Sequence, residues 1–160
     1  MRRILGILTV LLLLAAGATA CGDDSGDTAG NPTTTPSTSN GTPAKSTEVA
    51  ILSETAAGGT VSTSPVPLPD DAAVAAFAGQ FEKSSLGDQI AHKVKATDVP
   101  DGQAMVGAVI AIGCDVPPGV TVSDEGTGLA IVPDKVASPM PECFAPVTSV
   151  ALVLVDAELV

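Results

Sequence analysis

Met105-Val-Gly-Ala-Val-Ile-Ala-Ile-Gly-Cys114 contains no charged side chain and no polar face. Successive side chains of a strand point to opposite faces. A strand apolar at odd and even positions alike is covered on both sides, so this stretch reads as a central strand. Thr148 to Asp156 repeats the pattern, with Val150, Leu152 and Leu154 opposing Ala151, Val153 and Val155. Two such strands set the plan: a sheet with cover on both faces, the rest of the domain supplying the cover.

Downstream of Cys114, Asp115-Val-Pro-Pro-Gly119 turns the chain. Val120 to Ser123 and Leu129 to Val132 read as short strands around a hairpin-like turn, Asp124-Glu-Gly-Thr-Gly128. Pro133 to Pro146 is irregular, holds four prolines and carries Cys143. Upstream, Asp98-Val-Pro-Asp-Gly102 is a turn, and Ile90, His92, Val94 and Ala96 alternate with Ala91, Lys93, Lys95 and Thr97. That period of two predicts a half-buried strand beyond Gly87. Asp70 is a helix N-cap, and Val74, Phe77 and Phe81 form one apolar stripe, predicting a helix from Asp71 to about Glu82. Pro65-Val-Pro-Leu-Pro69 must be extended. Thr60 to Ser64 and Glu48 to Glu54 read as strands on either side of Gly58-Gly59. Short strands separated by Gly/Pro turns predict a mainly β fold, an antiparallel β-sandwich or small barrel with one short helix.

The N-terminal end has a different character. Arg2 and Arg3 precede an apolar run, Ile4 to Leu14, and then Ala15-Ala16-Gly17-Ala18-Thr19-Ala20-Cys21. A basic start, a short apolar core and a small-residue exit describe a secretory signal peptide over residues 1–20. The run is about half the roughly 20 residues needed to span a bilayer. Ala18-Thr19-Ala20 suits an ordinary signal peptidase, which would release a secreted protein. Ala18-Thr19-Ala20-Cys21 also resembles a bacterial lipobox, with Ala18 where that pattern usually has Leu. That resemblance implies a diacylglycerol-bearing Cys21 and attachment to the outer face of the cell membrane. After Cys21 comes a Gly/Asp/Ser/Thr/Pro stalk to about residue 46, without a hydrophobic period. As a flexible coil of about 25 residues it would hold a domain on the order of 25–30 Å from its attachment. Residues 47–160 are then one β-rich domain.

Export would leave Lys45, Lys83, Lys93, Lys95 and Lys135 against 18 acids, a net charge of 5 − 18 = −13. Such a surface repels phosphates, which excludes nucleic acid as a partner. With Cys21 lipidated, Cys114 and Cys143 remain as an even pair, which in an oxidising compartment predicts a disulfide. That staple suits a domain with three Phe and neither Trp nor Tyr.

Catalytic chemistry has little to draw on. His92 is the single histidine, with Ser84, Ser85 and Asp98 near it in sequence, and no Gly-x-Ser-x-Gly surrounds a serine. Its shared face with Ile90 and Val94 predicts a partly buried, satisfied side chain. A zinc set of His92, Cys114, Cys143 and a carboxylate lacks close cysteine spacing and competes with the disulfide. Met105 and Met140 stand too far apart for a copper cluster. Ser123-Asp-Glu-Gly126 lacks the acidic ladder of an EF-hand. No loop is built to cradle phosphate, and sugar-stacking Trp and Tyr are absent. No catalytic residue, metal or cofactor is assigned.

The signal, Cys21, the stalk and an Ala/Val/Gly/Asp-rich, lysine-poor composition together resemble the small secreted lipoproteins of actinobacteria. The motifs cover about the first 45 residues. The resemblance implies an extracytoplasmic, membrane-anchored protein and no particular activity. The expected function is a non-enzymatic binding module for an envelope protein or a small ligand. A protease-inhibitor-like module is the alternative, on the strength of the proline-rich loop Ala137-Ser-Pro-Met-Pro-Glu-Cys-Phe-Ala-Pro146, with an extracytoplasmic hydrolase third.

Overall fold

The structure, a computed structural model, describes residues 41–160. The expected export signal, Cys21 and the expected stalk up to residue 40 lie outside the described residues. In chain order the strands are β1 (Thr42–Pro43), β2 (Ser46–Thr55), β3 (Val66–Pro67), β4 (Gln103–Gly113), β5 (Val120–Asp124), β6 (Leu129–Pro133) and β7 (Val147–Asp156). Two helices, α1 (Asp71–Ala78) and α2 (Ser84–Lys95), lie between β3 and β4.

The two doubly apolar stretches are β4 and β7, and they pair antiparallel in the middle of a four-stranded sheet ordered β2-β7-β4-β3. Each face of this pair feeds a separate core. Met105, Val109, Val150, Leu152 and Leu154 meet Val74, Phe77, Phe81, Leu86 and Ile90 from the helices. Val106, Ala108, Ile110, Ala151, Val153 and Val155 meet Val122, Leu129 and Ile131 of a second sheet, ordered β1-β5-β6. Full burial of each such side chain contributes roughly 1.5–3 kcal/mol. The molecule is therefore three layers deep: helices, large sheet, small sheet. Both sheets are open, so the fold is a sandwich and not a closed barrel.

Gly107 sits in the middle of β4, where a Cβ would come within 3.1 Å of both Leu68 Cδ1 and Phe77 Cε1. Its bare backbone lets the aromatic ring of α1 lie directly on the sheet. α1 begins as expected, with Asp70 Oδ1 accepting from the Ala73 N–H at 2.8 Å. It ends at Gly79, earlier than the expected Glu82. Phe81 nevertheless stays buried, edge-on to Phe77 at 5.8 Å between ring centroids.

The expected single helix is two helices. The strand expected from Ile90 to Thr97 is the second half of α2. Ile90 and Val94 share a face in a strand, as i and i+4, and equally in a helix. Leu86 decides between them: Leu86, Ile90 and Val94 form a stripe at i, i+4 and i+8, and Leu86 and Ile90 are fully buried. Gly87 is not a breaker. A Cβ there would stand 3.1 Å from Ala78 Cβ, so its absence lets α2 cross close to α1.

Thr60 to Ser64 is not a strand. Ser62 Oγ accepts from the Ser64 N–H at 3.2 Å, a local turn that competes with ladder pairing. The segment instead links the sheets. The Ser62 N–H donates to the Val109 carbonyl, and the Thr63 carbonyl accepts from the Ile131 N–H at 2.7 Å. Inside the segment read as stalk, Thr42 and Pro43 pair with Asp124 and Ser123. The hairpin turn after Asp124 and the turn at Gly102 form as expected, Gly102 at φ 79° closing a Pro100 carbonyl to Gln103 N–H bond.

Candidate binding surface

Cys114 follows the last residue of β4, and Cys143 lies four residues before β7. β4 and β7 are neighbours, with Gly113 opposite Val147, so the topology brings the two cysteines to one end of the sheet. They form a disulfide, with Cα atoms 5.3 Å apart and a sequence separation of 29. Closing a loop of that length contributes about 3.5 kcal/mol in the chain-entropy account.

The disulfide fixes a loop that the core does not hold. Residues 137–144 are exposed throughout, as is Pro146. Prolines 139, 141 and 146 deny the loop backbone donors and narrow its conformations. Two hydrogen bonds pin it: the Met140 N–H donates to Asp115 Oδ2 at 2.9 Å, and the Pro146 carbonyl accepts from the Ala56 N–H at 2.8 Å. On this frame Phe144 is fully exposed, Met140 about half exposed, and Val116, two residues past Cys114, is exposed as well. A hollow of about 290 Å³ is lined by Glu142, Cys143 and Phe144. An aromatic ring left wholly in water beside a covalent brace is an unusual use of one of three phenylalanines; the other two lie in the core.

His92 is placed differently from the expectation. It is exposed on α2, beside a shallow hollow of about 390 Å³ lined by Leu52, Asp88, Gln89, His92 and Lys93. In a helix Ile90 and His92 point about 200° apart, so Ile90 enters the core and His92 faces water. Ser84 and Ser85 begin the same helix, about two turns earlier and roughly 10 Å away along its axis. Among the described residues no hydrogen bond joins His92 to a serine or a carboxylate. Nearby, Gln89 Nε2 donates to Glu54 Oε2 at 3.4 Å, and Lys83 Nζ lies 3.9 Å from Glu54 Oε1, an exposed pair of small energetic weight.

Among the described residues no three His, Cys, Asp or Glu side chains gather as a metal site requires. Cys114 and Cys143 are committed to each other. Cys21 lies outside the described residues, and no helix among those described is long and apolar enough to cross a membrane. A third hollow, about 250 Å³, runs beside β3 between Pro65, Pro67, Leu129 and Leu159.

Sequence reasoning found the loop and its disulfide, but did not single out Phe144, and weighed Met140 only as a copper ligand. The available signal was position: Phe77 and Phe81 fall on a helical stripe, whereas Phe144 follows a cysteine among prolines and belongs to no period. No protein-family model, curated protein or solved structure matches this chain.

Proposed function

We propose that this chain is a membrane-tethered, extracytoplasmic lipoprotein whose folded domain is a non-enzymatic binding module. The observation that carries the binding role is the disulfide-fixed loop, residues 137–146, with Phe144 fully exposed on it. An aromatic anchor held in place before binding loses little conformational freedom on binding, which is where such a loop gains affinity. The tether rests on the signal-like start and Cys21. Diacylation of Cys21 would hold the chain stably, each buried CH₂ contributing about 0.8 kcal/mol.

The test uses the full chain in its own cells. Amine-reactive crosslinking of the envelope should give a discrete adduct with wild type that disappears when residues 137–142 and Phe144 are replaced by Gly and Ser. The same adducts with and without the loop would remove the binding role. Mass spectrometry of wild type and Cys21→Ala tests the anchor separately: an unmodified Cys21 leaves a freely secreted protein.

The same exposure supports a second reading, a protease-inhibitor-like module presenting Phe144 to an apolar specificity pocket. Loop-dependent, tight inhibition of a chymotrypsin-like protease favours it. Cleavage after Phe144 without inhibition removes it.

A further inference from the structure

Granting that binding role, we infer that the loop docks into an apolar pocket rimmed by cationic side chains on another protein, at the end of the domain opposite the tether.

The two ends are set by the topology. Only two residues separate β1 from β2, and β2 starts with Ser46 opposite Val155, whose other neighbour is Ala104 at the start of β4. Gly41, ahead of β1, lies flush on β5, where a Cβ would meet the Asp124 carbonyl at 2.6 Å. The chain thus enters the domain at the end where β4 begins. Cys114 and its partner Cys143 stand where β4 finishes. The strand between them is eleven residues long, roughly 33 Å. Phe144 therefore lies at the end of the domain opposite the one where the chain enters.

The tip itself is apolar with an acidic surround. Phe144, Met140 and Val116 are exposed. The loops that carry them, residues 115–119 and 134–146, contain Asp115, Asp134 and Glu142 against Lys135 alone. Glu142 shares a hollow with Phe144, and Asp115 holds Met140. Anionic lipid headgroups repel such a surround, so insertion of Phe144 into a bilayer is disfavoured by charge. A second copy of this chain would oppose acid to acid and bring its own net charge of −13 once residues 1–20 are removed. A pocket with a Lys/Arg rim answers both features: the apolar floor takes Phe144, and the rim meets Glu142.

The test places a photoreactive benzoylphenylalanine at position 144 of the full chain, in the cells that make it, with a control at Thr127 in the turn at the tethered end. Position 144 should yield a protein adduct that position 127 does not. Glu142→Lys should reduce that adduct by about fivefold or more, because like charges then face each other across the contact. A thermal melt of Glu142→Lys matching wild type excludes misfolding as the cause. In a second arm, Cys21→Ala protein is sedimented with phosphatidylglycerol vesicles, and no Phe144-dependent sedimentation is expected. A lipid adduct at 144, Phe144-dependent vesicle binding, or equal adducts from 144 and 127 would overturn the inference. A loop-dependent adduct indifferent to Glu142→Lys removes the cationic rim and leaves the binding role standing. No loop-dependent adduct of any kind removes both.

Discussion

Ser149 Oγ is buried and has no hydrogen-bond partner among the described residues, while its neighbour Thr148 donates to the Gly58 carbonyl at 2.8 Å. A buried hydroxyl without a partner carries a desolvation cost of about 1–3 kcal/mol, and removing it recovers part of that. Ser149→Ala should therefore leave the unfolding free energy unchanged or raise it by up to about 1 kcal/mol, read from urea melts. Thr148→Val, by contrast, orphans the Gly58 carbonyl and should lower it by about 1 kcal/mol or more. Gly107 gives the opposite lesson about size. Gly107→Val would push into Leu68 and Phe77, and should lower stability by about 1–3 kcal/mol by overpacking. Neither residue announces its role in the sequence. Gly107 reads as part of an apolar run, and Ser149 as one polar letter within another.

The braced loop and α2 make different predictions because they are held differently. Hydrogen bonds from Ala56 to Pro146 and between Asp134 and Gly119 hold the two ends of the loop, but its tip has only the disulfide and the Met140–Asp115 bond, so reduction with a dithiol should open residues 137–144 to protease. The core should survive the cut as two protected pieces that stay associated, β7 in one and the other strands in the other, and reduction alone should lower stability by about 3.5 kcal/mol. Loss of the whole fold at low temperature on reduction would show that the disulfide supports more than the loop. α2 depends on its stripe, so Ile90→Ala should cost about 2–5 kcal/mol, whereas His92→Ala should change stability little. The sequence alone reads β4 and β7 correctly, because apolar residues on both faces leave a strand no other setting. It misreads α2 because residues four apart share a face in helix and strand alike, and a window opened after Gly87 omits Leu86. The loop was legible as an exposed, braced segment from its prolines and Cys143. Its tip was not, because exposure of Phe144 follows from what fails to pack on it, and no local pattern records that.

On the scale of the whole molecule, three layers share one central pair of strands, and the large sheet is ordered β2-β7-β4-β3. β7 is hydrogen-bonded on both edges, to β2 and to β4, and supplies apolar side chains to both cores. It also follows every other strand in chain order. A nascent chain emerging from N- to C-terminus thus holds β2 and β4 with no strand between them until β7 is made, and Ser46 waits more than a hundred residues for Val155. Folding has to wait for β7 and is dominated by distant pairings, hence slow for a domain of this size. Until β7 arrives neither core has its central wall, and the strand made after all the others is the one that closes both.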